Sequence, residues 1–205
     1  MTVRRTIFAV SILLLTCNGW HLASAMDEET ADKSANQGQF SLIDHTGRRV
    51  TDQDFRGSYL LIFFGYTHCP DICPTALTLL GNAMDQLGPR AQDVQPLFIT
   101  LDPERDTYEV LANFVPYFHP RLIGLTGTLD QIRTVAKTYF VRSQKYALDA
   151  ASSVPANENY LLDHTAAMYL LGTNGNGLAL FQHGTPAGEI VDTIRHFIAR
   201  DALPE

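Results

Sequence analysis

The order of apolar and polar residues along this chain predicts β-strands that alternate with α-helices. Residues 59–64 are continuously apolar over the length of one strand, which is typical of a strand buried on both faces of a sheet. After Pro74, apolar residues recur at helical spacing until Gly88 and Pro89 end the pattern. The same reasoning predicts the remaining elements: a first hairpin at 40–43 and 49–51, strands at 96–101 and 122–125, helices at 107–118 and 129–139, a second hairpin at 167–171 and 179–182, and a helix at 187–200. We therefore expect an α/β sandwich.

The N-terminal residues have the pattern of an export signal. Arg4 and Arg5 precede an apolar stretch at 7–15, and the small residues at 23–25 resemble a cleavage site. We expect residues 1–25 to be a signal peptide that is removed on export. One alternative is an uncleaved membrane anchor. The other is a lipid attached to Cys17, but the threonine before this cysteine does not fit the small residue usual at that position.

Length and composition favour one domain after this segment. Residues 26–39 are polar and lack large apolar side chains before Phe40, which predicts a flexible leader. The remaining residues 40–205 fall within the usual size of about 100 to 200 residues for a single domain. The formal net charge of the chain is −7. We therefore expect no nucleic-acid partner, because phosphate backbones repel a chain of this net charge.

Cys69 and Cys73 follow the first buried strand and precede a helix, with three residues between them. Two thiols at this spacing can close a disulfide or bind a soft metal ion. A purely structural disulfide is the simplest alternative in an exported protein, but so short a loop would stabilise the fold little. Thioredoxin-type redox motifs have two intervening residues, so the longer spacing here favours metal binding, and a redox-active pair stays open.

A metal site requires more than two thiolates, and a histidine is the natural third ligand for copper. The element order, with paired cysteines after the first central strand, resembles the thioredoxin fold. In such a fold His164, just before the late hairpin, would face the turn that carries the cysteines. His68 is adjacent to Cys69 in sequence, but neighbouring residues point in different directions, and we expect it to face solvent. The other histidines of the predicted domain have no thiol or acidic ligand pattern nearby.

Four ordered motifs carry a resemblance to a known family. They are GYTHCPDICP at 65–74, DPERDT at 102–107, GLTG at 124–127 and DHT at 163–165. Together they resemble the SenC/Sco family of copper chaperones over most of the chain after residue 40. The resemblance implies a thioredoxin-like three-layer sandwich with an N-terminal hairpin extension. It also implies that Cys69, Cys73 and His164 bind copper, as Cu(I), Cu(II) or both.

The resemblance also implies a location and partners. Such proteins face the bacterial periplasm or the mitochondrial intermembrane space and often keep an N-terminal membrane anchor; with the signal at residues 1–25, we expect the periplasm. The expected partners are the copper-bearing subunit of cytochrome c oxidase, or another copper protein, and a thiol reductant. The resulting hypothesis is a copper chaperone for oxidase assembly. The alternatives are a thiol-disulfide oxidoreductase that uses Cys69 and Cys73 without His164, and a copper or redox sensor.

The acidic segment 102–106 has two interpretations. Its carboxylates follow a central strand, so they could receive a basic partner or a second cation. The favoured interpretation is local, because Asp106 is a good N-cap residue and Glu109 three positions later would complete a capping box. Met84 and Met168 fall on apolar patterns, and we expect both in the core.

Overall fold

A seven-stranded mixed sheet lies at the centre of the protein in this computed structural model, which describes residues 39–148 and 159–203. The spatial order of the strands is β2-β1-β5-β4-β3-β8-β9. The strands are β1 Ser41–Asp44, β2 Arg49–Thr51, β3 Tyr59–Gly65, β4 Val94–Thr100, β5 Ile123–Thr126, β8 Ala167–Leu171 and β9 Gly177–Gln182. The predicted signal at 1–25 and the predicted leader up to residue 38 lie outside the described residues.

The centre of the sheet consists of three parallel strands. β3 pairs with β4, and β4 pairs with β5, all in the same direction, whereas β8 runs antiparallel to β3. Every residue of β3 is buried, which explains why this segment has no polar position. The carboxyl ends of the parallel strands meet at one edge of the sheet, so the segments that follow β3 and β4 lie side by side.

Four α-helices among the described residues cover the two faces of this sheet. They are α1 Ile72–Leu87, α2 Tyr108–Phe114, α3 Leu129–Thr138 and α4 Ala187–Asp201. On one face, Phe63 stacks near Phe98, and Phe98 in turn contacts Phe114 at the end of α2. On the other face, the ring of Phe64 lies 5.3 Å from that of Tyr139, which follows α3. Helices on both faces give the three layers that the sequence predicted.

Two predicted helices differ from the structure at their ends. The helix predicted at 107–118 is α helical only to Phe114 and continues as a short 3-10 helix at Val115–Tyr117. Pro116 explains the change, since proline has no N–H to donate within a helix. Helix α1 begins at Ile72, two residues before Pro74. Cys73 therefore lies inside the first turn of the helix, and Met84 and Met168 are buried as expected.

A separate two-stranded hairpin was not predicted from the sequence. It consists of β6 Ser143–Ala147 and β7 Tyr160–His164, which pair antiparallel with Ser143 opposite His164. All five residues of β6 are exposed, so the segment lacks the apolar alternation that marks a strand. His164, which the sequence placed just before the late hairpin, is thus the last residue of an unpredicted strand.

Within residues 39–148 and 159–203, no helix combines the length and apolar composition that a membrane crossing requires.

Candidate metal centre

The two cysteines lie where β3 turns into α1. Cys69 is partly buried in the connecting loop, and Cys73 is fully buried in the first helical turn. The backbone N–H of Cys73 donates to the Sγ atom of Cys69 at 3.4 Å. A helix N-terminus carries partial positive charge. This contact therefore directs that charge at the Cys69 sulfur, which suits a sulfur that carries negative charge when it binds a metal ion.

Gly65, the last residue of β3, leaves the space that the Cys73 thiol occupies. A Cβ atom at this position would lie 2.8 Å from Cys73 Sγ, 3.0 Å from the Phe63 ring and 3.1 Å from the Phe98 ring. Real Cβ atoms essentially never come as close as the contact with Cys73 Sγ, the contacts with the two rings are also tight, and both rings are buried in the core. A larger residue at 65 would therefore have to displace the thiol.

Replacing Gly65 by alanine is expected to destabilise the protein by about 1 to 3 kcal/mol, the usual cost of overpacking a core. Urea unfolding followed by circular dichroism measures the change. Gly188 in α4 is the matched control, because a Cβ atom there meets nothing within 4 Å. Gly188→Ala should leave the free energy of unfolding unchanged or raise it, since alanine favours helix. Equal stability of both variants would show that the space at Gly65 is not restrictive.

Asp106 holds the cysteine loop against the end of β4, and the predicted N-cap role is wrong. Thr107 is the N-cap of α2, and its side chain accepts from the N–H of Val110. The Asp106 carboxylate is fully buried and accepts hydrogen bonds from the Thr67 N–H at 3.0 Å, the Thr67 hydroxyl at 2.5 Å and the Thr100 hydroxyl at 2.6 Å. Burial raises the pKa of Asp106, and these hydrogen bonds oppose the rise. The carboxylate is thus turned inward and is not available to a basic partner.

His164 approaches the cysteines from the end of strand β7. Its Nε2 atom lies 3.5 Å from Cys73 Sγ, and its Nδ1 atom lies 3.1 Å from the carbonyl oxygen of Thr165. A carbonyl can only accept, so this contact assigns the ring proton to Nδ1. The lone pair of Nε2 then points toward the thiol, which is the arrangement that a metal ligand requires.

Tyr66 packs against the imidazole of His164. Its ring meets the ring of His164 edge-on with the centroids 5.9 Å apart, and its hydroxyl accepts the N–H of Leu162 in β7 at 3.2 Å. Burial raises the pKa of Tyr66 to about 12, so the phenol stays neutral. Tyr66 therefore joins the loop that leads from β3 to the cysteines to the strand that carries His164.

The end of the hairpin at Tyr160 is held by charged side chains. The guanidinium of Arg105 lies 3.7 Å and the ammonium of Lys145 lies 3.8 Å from the centre of the Tyr160 ring. Arg105 also pairs with Asp102 at 2.5 Å, and the Tyr160 hydroxyl donates to Asp102 at 2.6 Å. These cation–π and charged contacts anchor β7. The hairpin is therefore attached to the sheet at the end of β7 remote from His164.

The structure brings Cys69, Cys73 and His164 together. Their ligand atoms all lie within 4.8 Å of one another, and no other group of three or more His, Cys, Asp or Glu side chains in the described residues has metal-site geometry. His68 belongs to no such group: its side chain is about half exposed, as expected, with Nδ1 3.0 Å from the Thr67 hydroxyl.

Cys73 and His164 are both neutral before metal binding. Burial raises the pKa of the Cys73 thiol far above its usual range, so without a metal ion this cysteine keeps its proton. Burial also lowers the pKa of His164, which keeps the imidazole neutral at neutral pH. A metal ion that binds here must therefore displace the Cys73 proton, but it meets an imidazole that is already available.

Sequence reasoning did not identify the residues that build this geometry. Gly65, Tyr66 and Asp106 were visible as parts of motifs, but their spacing carries no sign of what they contact. Tyr160 and Lys145 lie in a hairpin that the apolar pattern did not reveal. The signal that could have identified Gly65 is its position at the end of a fully buried strand, where glycine commonly marks a close approach.

Comparison with known proteins agrees with this architecture. A family model described as SCO1/SenC matches residues 28–199. The protein SCO2 homolog, mitochondrial, of Bos taurus is 42% identical over 174 residues, which cover 84% of this chain and 63% of the relative. The protein SCO1 homolog, mitochondrial, of Homo sapiens is 44% identical over 159 residues, which cover 77% of this chain and 51% of the relative. The chain thus spans between half and two-thirds of the length of these two curated relatives.

Two solved structures have the same fold. The crystal structure of Arabidopsis thaliana ScoI with copper bound is 37% identical with a TM-score of 0.73, covering 80% of this chain and 98% of its own. Bradyrhizobium japonicum ScoI with copper bound is 37% identical with a TM-score of 0.69, covering 78% and 98%. The predicted thioredoxin-like fold is confirmed. Because the family model matches residues 28–199, most of the chain and the span that holds both cysteines and His164, this chain belongs to the SCO1/SenC family.

Proposed function

We propose that this protein is a copper chaperone that binds one copper ion through the thiolates of Cys69 and Cys73 and Nε2 of His164. The observation that carries the proposal is the convergence of three ligand atoms within 4.8 Å, with the Nε2 lone pair directed at the site. Thiolate sulfur is a soft ligand, and Cu(I) prefers soft ligands and accepts three of them, whereas structural zinc requires four. The copper-bound structures of the Arabidopsis and Bradyrhizobium relatives support the choice of metal.

The proposed recipient of the copper is the copper-bearing subunit of cytochrome c oxidase, the partner that the family resemblance implies. Cys69 supports a transfer role because it is only partly buried, so an incoming ligand can reach a metal ion from that side. Cys73 is enclosed by the core and would release the ion last. A thiol reductant is required to keep both cysteines reduced in an oxidising compartment.

We propose export to the periplasm on the basis of the signal pattern at residues 1–25, with residues 40–205 as the copper-binding domain. The two curated relatives compared above are mitochondrial proteins, which points to the intermembrane space as the competing location. N-terminal sequencing of the protein from its native cells tests the cleavage. A mature N-terminus near residue 26 supports export, and retention of residues 1–25 supports an anchor.

Reduced protein is expected to bind one copper ion, and protein oxidised to a Cys69–Cys73 disulfide is expected to bind none. A disulfide consumes both thiolates and leaves one imidazole, which cannot hold the ion alone. Native mass spectrometry of both forms, before and after addition of a reductant, measures the stoichiometry. Stoichiometric copper on the disulfide form would show that the ligands lie elsewhere.

A second candidate function, thiol-disulfide exchange, is favoured by one observation. Cys69 is partly exposed at a helix N-terminus while Cys73 is buried next to it, which is the usual arrangement of an attacking and a resolving thiol. Exchange has no need of His164. A sensor that signals through a partner would bind copper with the same three residues, and it differs from a chaperone in retaining the ion when a copper-free acceptor is added.

A further inference from the structure

A wide groove lies next to His164 and shares Gln144, Asp163 and His164 with a smaller groove that Cys69 also lines. It has a volume of about 1110 Å³ and is lined by residues of α3, the turn after it, β6 and the end of β7. The lining residues that matter here are Arg133, Lys137, Phe140, Arg142, Asp163 and His164. One of the three proposed metal ligands therefore forms part of the groove wall, and whatever occupies the groove lies beside the metal ion.

The groove is basic on a chain whose formal net charge is −7. Three cations and one acid line it. Arg133 lies 3.7 Å from Asp130, with both side chains largely exposed, and such pairs are weak. Lys137 and Arg142 form no ion pair with any described residue. A groove of this sign attracts an acidic surface and repels a basic one.

Phe140 is an unusual residue at the rim of this groove. It has φ of 56°, and its side chain is 79% exposed. The surrounding hydrogen bonds, from Phe140 N–H to the Lys137 carbonyl and from Val141 N–H to the Ala136 carbonyl, are those of a Schellman motif. Glycine is usual at this position, because a bulky residue there is strained. The protein thus carries both backbone strain and an exposed aromatic ring at one point beside the metal site.

We propose that Phe140, Lys137 and Arg142 form a docking surface for the protein that exchanges copper at His164, and that this partner presents an acidic surface with an apolar pocket for the phenylalanine ring. This inference rests on the proposed copper function and adds where the partner binds. A protein fits better than a small ligand because the groove is open and Phe140 projects outward from its rim. Exposed aromatic residues flanked by cations are typical anchors of protein interfaces.

The test measures copper transfer from the full-length, copper-loaded protein to the reduced, copper-free copper-bearing domain of cytochrome c oxidase from the same organism. The double variant Lys137→Glu, Arg142→Glu should slow transfer by about tenfold at low salt, and the difference should shrink below about twofold at high salt. The control double variant is Arg49→Glu, Arg90→Glu, which changes the net charge equally. Arg49 lies in β2, at one side of the sheet. Arg90 precedes β4 and so lies at the amino ends of the parallel strands, whereas the cysteines follow the carboxyl end of β3. The control should transfer copper at the wild-type rate.

Phe140→Asn tests the aromatic anchor separately from charge. Asparagine tolerates positive φ, so the melting temperature should equal or exceed that of the wild type while copper transfer slows by about tenfold or more. Phe140→Tyr should transfer copper at about the wild-type rate, because it keeps an aromatic ring at this position. A purely structural role for Phe140 predicts the reverse, a lower melting temperature with unchanged transfer.

Equilibrium copper binding, measured in parallel, separates the two proposals. If the wild type binds no copper, the proposed function fails. If all variants bind copper and transfer it at the wild-type rate, the docking surface is wrong. It is also wrong if the wild type binds copper but neither binds the oxidase domain nor transfers copper to it. Sedimentation equilibrium decides between partners: a wild-type dimer that Phe140→Asn dissociates would show that a second copy of this chain occupies the groove, which would overturn the proposed acidic partner.

Discussion

Replacing Cys73 by serine is expected to weaken copper binding by at least about a hundredfold, more than the usual effect of losing a residue that only supports a ligand. A serine hydroxyl is a hard ligand that stays protonated, so two of three donor atoms remain and Cu(I) loses a soft one. Cys69→Ser should have a similar effect. The serine hydroxyl at 69 can still accept the Cys73 N–H, so the loop should keep its shape. Competition with a chromogenic Cu(I) chelator measures the affinity.

His68→Ala is the matched control for the cysteine variants. His68 is adjacent to Cys69 in sequence, but it lies outside the group of three converging ligand atoms. Its loss should leave copper affinity unchanged, and circular dichroism should show that all three variants are folded. Wild-type copper retention by either serine variant would overturn the assignment of the site, whereas a loss in His68→Ala would mean that a fourth ligand takes part.

The parts of the fold that the sequence predicted are those in which burial alone determines the pattern. Strand β3 is buried on both faces, so its residues are apolar throughout, and helix α1 buries one stripe, so its apolar residues recur at helical spacing. The proposed ligands could be predicted for a related reason. Thiols at a strand-to-helix junction have few uses, and a histidine before the late hairpin faces that junction in a thioredoxin-like fold.

The parts that the sequence did not predict depend on contacts between distant residues. Strand β6 is exposed throughout, and it is attached by its ladder with β7 and by Lys145, which lies over the Tyr160 ring and 2.7 Å from Glu104. Asp106 has the sequence pattern of an N-cap, but the Thr67 and Thr100 groups that surround it need a buried acceptor. Local pattern favours the cap because nothing in the sequence shows that residues 67 and 100 lie beside it.

Replacing His164 by alanine is expected to weaken copper binding by more than the roughly tenfold to hundredfold that losing a supporting residue costs, while the two cysteines still exchange with a small disulfide at a rate within about tenfold of wild type. Copper affinity depends on all three ligands, whereas thiol exchange depends on thiolate formation and access at Cys69 and Cys73. Chelator competition and exchange with a chromogenic disulfide measure the two quantities on the same samples. Unchanged copper affinity with normal exchange would favour the oxidoreductase function.

The pH dependence of copper affinity distinguishes a bound His164 from a nearby one. Cys73 keeps its proton without metal, because burial raises its pKa, so affinity in both wild type and His164→Ala should fall as pH decreases through neutrality. Burial lowers the pKa of His164, so the imidazole stays neutral to a lower pH than the usual value of 6.5. The two profiles should therefore run parallel near neutral pH. Below the lowered pKa of His164, a proton competes with copper for Nε2 in the wild type alone, so its affinity should fall more steeply than that of the variant. Superimposable profiles with equal affinities would mean that His164 lies beside the site without binding the ion.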